Sequence, residues 1–325
     1  MTLTKKKSVI ITIALAIVFF VPLLFLPESI IGQRDENLLL FIPKLMFLAI
    51  TAAIVIVVIL VFIFRSAYIT ALLYSFNRFK YYLRLLVKRD FISKYRKSIL
   101  GVIWSLLNPL LTMLVLTLVF SFLFDTVMHF PVYVLSGQLV YNFFNESTTL
   151  AMNSVIANEG IIKKIYVPKY IFPLARVMSS LVNLFFSFIA FMLVFIFTRV
   201  PFQWTMLLLP VPILYLFVFA LGVAMFVSSL AVFFRDLTYL YGVSMMLLFF
   251  LTPIMYPVDI IPDWLMPYYG LNPLFHFVTY YRNLALWGTI PDLWANMVCI
   301  GYALSALCVG TYTFMKQQDK LILSN

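Results

Sequence analysis

Long apolar segments are the feature of this sequence that most constrains its fold. The segment 45–64 is apolar on every side of a helix, and other segments of similar length follow it. A helix crosses a bilayer with about 20 such residues, whereas the strands of an outer-membrane barrel alternate apolar and polar residues. Hydrophobic residues make up 64% of the chain and charged residues 11%. The sequence therefore excludes a water-soluble fold and predicts an all-α, polytopic membrane protein.

About eight membrane-spanning helices are predicted from these segments. Their approximate limits are 8–26, 45–64, 100–124, 132–156, 171–198, 205–234, 239–257 and 293–315. An even number of crossings places both termini on one side, and all Lys and Arg residues except Arg34, Lys44, Arg199 and Arg282 fall on that side. By the positive-inside rule this side is the cytoplasm. The net charge of +11 therefore indicates membrane orientation and no nucleic-acid partner.

Three parts are expected along the chain: an extra N-terminal transmembrane hairpin over 1–65, a basic amphipathic interfacial segment over 66–99, and a six-helix unit over 100–325. The first apolar run is expected to be a retained anchor, since it has no small-x-small cleavage site. In the interfacial segment, Lys80, Arg84 and Lys88 form a basic stripe beside an apolar one. The apolar stripe consists of Phe79, Tyr82, Leu83, Leu86, Val87 and Phe91. We expect the apolar stripe to enter the membrane and the basic stripe to face anionic headgroups. The alternative is that this helix serves only as a membrane anchor.

The segment 251–291 is apolar but rich in proline, which prevents one continuous helix. Its prolines are Pro253, Pro257, Pro262, Pro267, Pro273 and Pro291. Short helices that re-enter from the outer face fit this pattern better than a further span.

Several classes of catalytic chemistry are not indicated. No G-x-x-x-x-G-K-[ST] loop occurs, so we expect no ATP hydrolysis by this chain and no cofactor bound to it. Cys299 and Cys308 lie nine residues apart in one apolar run, and the two histidines, His129 and His276, form no recognisable catalytic or metal motif. No catalytic residue and no metal site are predicted.

Seven short motifs follow one another in a fixed order between residue 88 and about residue 318. They are Arg89-Asp90 with 95–101; Trp104 with Asn108-Pro109; 136–139 with 142–144; 161–168 with Pro173-Leu174; 233–236; 252–257; and 271–274 with Tyr281-Arg282. In this order they resemble the permease subunits of ABC transporters that export cell-surface polysaccharides, including O-antigen, capsule and teichoic acid. The two extra N-terminal helices depart from the commoner members, and their role is open.

The resemblance implies an assembly and a location. It implies a six-helix permease of the bacterial plasma (inner) membrane, with both termini cytoplasmic. Two copies would form a homodimer with two ATP-binding cassette subunits, which would hold ATP and Mg. The substrate would be a polysaccharide or lipid-linked glycan, and membrane lipids would surround the assembly.

The resemblance also implies a coupling helix for the ATPase within 158–169. The residues expected there are Glu159, Gly160, Ile162, Lys163, Lys164, Tyr166, Pro168 and Lys169. The alternative is an ordinary basic loop on the cytoplasmic side. The turn between 233 and 236 is expected to be structural, with Asp236 at the start of the next helix.

Two substrate-contacting regions are predicted. An entry gate for lipid phosphate is expected where the interfacial segment meets the third span, because arginine binds phosphate oxygens through paired donors. Its residues are Arg89, Tyr95, Arg96, Lys97 and Trp104, with headgroup anchoring as the alternative. A glycan pathway needs aromatic faces beside hydrogen-bonding groups. Its candidates are Tyr133, Tyr141, Asn142, Phe143, Phe144, Asn145 and Glu146, with packing or lipid contact as the alternative.

Three other functions remain open. An exporter of a drug or small lipid would need an apolar cavity. A proton-coupled lipid flippase would use Glu146, the acidic residue well inside the spans, although this carboxylate could equally bond a neighbouring helix. An integral glycosyltransferase is disfavoured because no loop is long enough to hold a nucleotide-sugar site.

Overall fold

The computed structural model describes residues 66–95, 99–124, 127–164, 167–234 and 236–317, and the side chains of its first helix from Arg78 to Lys94. The predicted hairpin over 1–65 lies outside the described residues. The helices are α1 Ser66–Tyr95, α2 Trp104–Phe120, α3 Phe130–Met152, α4 Ser154–Ala157, α5 Glu159–Ile162, α6 Ile171–Phe197, α7 Pro210–Ala231, α8 Leu237–Leu251, α9 Met266–Gly270, α10 Pro273–Ala285 and α11 Leu293–Gln317. Short 3₁₀ helices cover Gly101–Ile103, Trp204–Leu208 and Val258–Ile260. The described part contains no strand, which confirms the all-α class.

Four described segments are long and apolar enough to cross a membrane: Gly101–Phe120, Ile171–Phe197, Trp204–Ala231 and Leu293–Gln317. With α3 and α8, they occupy the six segments in which spans are predicted after residue 100. α8 is apolar but has 15 residues, about 22 Å of helix, which is less than the ~30 Å of a hydrocarbon core.

The predicted span 239–257 is too long at its end. α8 ends at Leu251 because Thr252 is extended and Pro253 has no amide hydrogen to continue the helix. At its start, Asp236 directly precedes the helix, and its side chain makes no capping hydrogen bond. Arg235 lies outside the described residues. The short helices expected between 251 and 291 are confirmed in α9 and α10, each of which begins with a proline in its first turn.

α3 is the central helix, and α2, α6, α7 and α10 pack around it. Most of its side chains are buried, and aromatic rings fill the space between it and its neighbours. Phe144 stacks on Phe219 of α7, and Phe219 in turn contacts Phe277 of α10. The centre of the bundle is therefore a closely packed aromatic and aliphatic core.

The apolar stripe of α1 packs against the protein itself, which corrects the expectation that it enters the membrane. Leu83 and Leu86 are buried against Ile171, Phe172 and Ala175 at the start of α6. The stripe covers apolar surface of its own chain because α6 presents a matching apolar side there. Lys80, Arg84 and Lys88 are exposed beside it, as expected of a basic face.

The two ends of the described bundle differ in their content of Lys and Arg residues. The basic end carries α1, α5 and the start of α6, and holds most of the Lys and Arg residues. The opposite end carries the loops around 121–130, 198–209 and 252–292, with Arg199 and Arg282 as its described Lys or Arg residues. This asymmetry is the one that the positive-inside argument uses.

α7 and α11 pack closely because two glycines lie at their contact. A methyl group placed on Gly222 would overlap the backbone of Ala306 and Leu307, and one on Gly310 would overlap the carbonyl of Gly222. Such small residues allow the backbones of membrane helices to approach each other.

We expect Gly310→Ala to destabilise the protein by about 1–3 kcal/mol, because the added methyl group meets backbone atoms that have to move. Thermal unfolding in detergent measures the effect. Gly242→Ala in α8 is the matched control, since no heavy atom lies within 4 Å of the added methyl group. Equal melting temperatures for the two variants would contradict the packing described for α7 and α11.

Candidate functional site

The predicted coupling segment, 158–169, contains the short helix α5, and α4 directly precedes it. Asn158 connects the helices: it is buried, its backbone carbonyl accepts from the amides of Ile161 and Ile162, and its side-chain amide donates to Ser154 O. Glu159 forms an ion pair with Lys163 across one helical turn. The segment is therefore held in shape by its own polar contacts.

The coupling segment has one inner and one outer face. Ile161 and Ile162 pack towards the α1–α6 contact, so these two side chains are used within the chain. The outer face exposes a continuous patch at the basic end. This patch consists of Ile156, Ala157, Gly160, Lys163 and Lys164. Pro168 and Lys169 follow half-buried in the turn before α6, and Tyr166 lies outside the described residues.

Arg89 and Asp90 join the coupling segment to both α1 and α6. Asp90 forms ion pairs with Arg89 at 3.0 Å and with Arg176 of α6 at 3.1 Å. Arg89 also donates to Asn158 Oδ1 at 3.3 Å. Three elements therefore share one polar cluster beside the exposed patch.

The other residues of the predicted entry gate fall at the end of α1, at the start of α2 or outside the described residues. Trp104 begins α2 and its side chain is 37% exposed. Tyr95 is the last residue of α1, while Arg96 and Lys97 lie outside the described residues. The structure thus brings Arg89 to the coupling segment, a neighbourhood that the sequence alone does not reveal.

Glu146 has a basic partner that the sequence does not indicate. Lys94 of α1, 52 residues away in sequence, donates to Glu146 Oε1 at 2.6 Å, and Asn183 of α6 donates to the same oxygen at 2.6 Å. The carboxylate thus connects α1, α3 and α6, which fits the expectation that it bonds neighbouring helices.

The predicted pathway residues of α3 divide by face. Asn142 is exposed, and Asn145, Glu146 and Thr149 follow on the same side of the helix as a polar stripe. Tyr141, Phe143 and Phe144 are buried in the protomer, and the Tyr141 hydroxyl donates to Met245 O of α8 at 2.7 Å. Within the stripe, Asn142 and Thr149 are exposed, whereas Glu146 is engaged by Lys94 and Asn183.

At the opposite end, Arg282 is the most deeply buried charged side chain described. It is 1% exposed and donates to the carbonyls of Pro253 at 2.6 Å, Ile254 at 3.0 Å and Tyr133 at 3.1 Å. It also donates to Ser136 Oγ at 3.2 Å, and its guanidinium lies 3.5 Å from the centroid of the Tyr133 ring.

Neighbouring contacts complete this Arg282 cluster. The Tyr133 hydroxyl donates to Tyr256 O at 3.0 Å, and Asn272 donates to Leu251 O and to Thr252 Oγ1. Gly137 is required beside the guanidinium, because a Cβ there would lie 2.9 Å from Arg282 Nη2. The sequence analysis placed Tyr133 in a pathway and missed the role of Arg282. The motifs at 136–139, 252–257, 271–274 and 281–282, which meet here, were the available signal.

A family model described as ABC-2 type transporter matches residues 81–286. The chain belongs to the ABC-2 type transporter family. The matched region runs from α1 to the end of α10 and includes the cluster of Arg89, Asp90 and Arg176 and the Arg282 cluster. It begins after the predicted N-terminal hairpin.

The ABC-2 type transporter is similar to several export permeases. An O-antigen export system permease protein RfbA from Klebsiella pneumoniae is 32% identical over 63% of this chain and 80% of its own length. The RfbA protein of Myxococcus xanthus is 27% identical over 72% of this chain and 92% of its own. The polysialic acid transport protein KpsM of Escherichia coli is 22% identical, over 73% and 93% respectively.

We expect Arg282→Lys to destabilise the ABC-2 type transporter by at least about 2 kcal/mol, because one ammonium cannot replace the planar fork and leaves buried carbonyls unpaired. Thermal unfolding and limited proteolysis of the segment 252–272 measure the change. Arg199→Lys, at an exposed position of the same end, should unfold like the unchanged protein. Similar behaviour of the two variants would contradict the role given to Arg282.

A double-mutant cycle should detect the contact between Lys94 and Glu146. We expect Lys94→Met and Glu146→Gln to show a coupling free energy of about 0.5–1 kcal/mol, because the ion pair is partly exposed. Thermal stability of the two single variants and the double variant gives this value. Lys88→Met combined with Glu146→Gln is the control, and the stability changes of these two substitutions should add. Additive stability changes for Lys94→Met and Glu146→Gln, with coupling in the control pair, would contradict the contact.

Proposed function

We propose that the chain is the permease subunit of an ATP-driven exporter that moves polysaccharide or lipid-linked glycan from the cytoplasm across the plasma membrane. The observation that carries this proposal is the similarity to O-antigen and polysialic acid export proteins over 80–93% of their own lengths. The family match over residues 81–286 supports it independently. The basic end faces the cytoplasm in this proposal, with both termini on that side.

A homodimer with two ATP-binding cassette subunits is the proposed assembly. The exposed apolar surfaces of α2 and α8 support this assembly, because the rest of the described chain covers these two helices least among the long apolar helices. In α2 only Ser105 and Pro109 are buried, and in α8 only Tyr241 and Met245. A second copy would cover these apolar faces, and membrane lipid would cover what remains. ATP and Mg belong to the cassette subunits, and this chain contributes no catalytic residue.

The proposed glycan pathway follows the polar stripe of α3. Polar side chains are costly against lipid tails, so Asn142, Asn145 and Thr149 favour a water-filled passage or a dimer interface lined by them. Amide and hydroxyl groups suit the hydroxyls of a neutral sugar chain. Tyr141, Phe143 and Phe144 lie behind the stripe and support it by packing. This polar lining favours a glycan over the apolar drug or lipid of the alternative exporter.

Entry of a lipid-linked substrate is proposed at the junction of α1 and α2. Trp104 begins α2, Arg89 lies six residues before the end of α1, and the sequence places Tyr95, Arg96 and Lys97 between them. Arg89 offers part of its guanidinium, since its side chain is 44% exposed despite the contact with Asp90. The pyrophosphate of a lipid carrier would meet these basic groups at the membrane surface.

The proposed docking surface for the ATPase is the exposed patch from Ile156 to Lys164. The polar cluster of Arg89, Asp90 and Arg176 would transmit movement of this patch to α1 and α6. A proton-coupled flippase is less well supported, because Glu146 is engaged by both Lys94 and Asn183.

The chain co-purified with its ATPase in lipid nanodiscs tests the proposed function. Lipid-linked glycan from the native cell should stimulate ATP hydrolysis, whereas the lipid carrier without sugar should stimulate it less. Glycan transport driven by a proton gradient in vesicles without the ATPase, or equal stimulation of ATP hydrolysis by the sugar-free lipid, would overturn the proposal.

We expect Lys164→Glu to reduce glycan-stimulated ATP hydrolysis by at least about threefold, because it reverses a charge on the exposed patch without disturbing a buried contact. ATPase assays of the reconstituted complex measure this reduction. Lys88→Glu is the matched control, with the same charge change on an exposed lysine of the basic end outside the patch. A stronger loss in the control than in Lys164→Glu would contradict the assigned docking surface.

A further inference from the structure

A cavity of about 390 Å³ opens at the end of the bundle opposite the basic end. Its size falls in the range of small-molecule sites, roughly 300–1,000 Å³. Four loops build it: the one before α3, the one after α6, the one after α8 and the one after α10. The argument rests on His129, Tyr133, Asp259 and Trp287 among its lining residues. The sequence analysis assigned Tyr133 to the glycan pathway and assigned His129, Asp259 and Trp287 to no site.

The cavity is built on fixed backbone. His129 and Arg199 have the left-handed φ values of 56° and 54°, and they are the described non-glycine residues with positive φ. His129 lines the cavity, and Arg199 directly precedes the lining residues Val200 and Pro201. Gly288, with φ 63°, follows Trp287. Strained residues persist where the surrounding structure determines them, and they concentrate at binding sites.

One wall is fixed by the Arg282 cluster. The Tyr133 ring rests on the buried guanidinium, and its hydroxyl donates to Tyr256 O, directly before the lining residues Pro257 and Val258. A ligand in the cavity would therefore meet side chains that are already positioned. Such preorganisation lowers the entropic cost of binding.

The lining chemistry favours a neutral sugar. The Trp287 indole is 51% exposed and offers an apolar face to the C–H surface of a sugar ring. Asp259 is exposed and can accept hydrogen bonds from sugar hydroxyls. The described lining contains this carboxylate and no Lys or Arg, so a phosphate or pyrophosphate would be repelled.

We propose that this cavity is an exit subsite, which binds one or two neutral sugar residues of the glycan as it leaves the membrane. The proposal rests on the proposed export function. It assigns Trp287 as the stacking residue, Asp259 as the hydrogen-bond acceptor, and Tyr133 as the wall between them and the Arg282 cluster.

The test uses the complete complex with its ATPase in nanodiscs. The probe is lipid-free oligosaccharide released by mild acid from the cell's own surface polysaccharide. Saturation-transfer NMR and calorimetry measure its binding. We expect Trp287→Ala to weaken binding about tenfold and Asp259→Asn several-fold, as for an aromatic anchor that the ligand covers and its polar neighbour.

Two matched controls lie at the same end outside the cavity. Trp204→Ala removes an indole that is 82% exposed, and Asp263→Asn removes an exposed carboxylate. Both should bind oligosaccharide like the unchanged complex. Equal affinity in Trp287→Ala and the unchanged complex, absence of binding, or displacement of the oligosaccharide by inorganic pyrophosphate would each overturn the proposed subsite.

The same preparations separate this proposal from the proposed function. If lipid-linked glycan stimulates ATP hydrolysis but Trp287→Ala binds oligosaccharide normally, the export function stands and the exit subsite is wrong. If lipid-linked glycan fails to stimulate hydrolysis, the export function itself fails.

Discussion

A polar group inside a bilayer has to be satisfied by the protein, and the Arg282 cluster shows what this requirement imposes on the described bundle. Among the described residues no carboxylate pairs with the guanidinium, and backbone carbonyls from Tyr133, Pro253 and Ile254 share its donors. The carbonyls of Pro253 and Ile254 are free because α8 ends before Pro253, which removes the helical partners that these two carbonyls would otherwise have. The helix breaker and the buried arginine therefore depend on each other, and Gly137 gives them the space that they need.

The basic end is held by contacts of another kind. There, Asp90, Arg89, Asn158 and Arg176 form a partly exposed network, and Lys94 joins Glu146 in the same way. Such contacts are individually weak and exchange readily with water, whereas the buried cluster at the opposite end cannot open without leaving several carbonyls unpaired. The two ends thus differ in how easily their helices can move relative to one another.

The helices could be predicted from the sequence because apolar run length and proline positions determine them almost alone. The end of α8 at Leu251 was predicted too late, since an apolar run does not reveal where the backbone leaves the helix before Pro253. The pairing of Glu146 with Lys94 could not be predicted, because it depends on how α1 lies across α3 and α6. For the same reason α1 was assigned to lipid: amphipathic spacing identifies an apolar face but does not identify what covers it. Arg282 was used only as one basic residue on the sparse side and as part of one motif, although three of the seven motifs converge on it.

The difference between the two ends bears on the direction of export. In the proposed assembly the ATPase would act from the basic end, and movement of the exposed patch at Lys164 would first rearrange the weak contacts of Arg89, Asp90 and Glu146. These contacts join α1, α3 and α6, and the polar stripe with Asn142 and Asn145 lies on α3 directly beyond them. A passage along that stripe would therefore widen from the cytoplasmic side, while the Arg282 cluster keeps the far end of α3 fixed. A fixed far end is also what a preformed sugar cavity at Trp287 requires, because its walls have to stay in place while the chain moves past them.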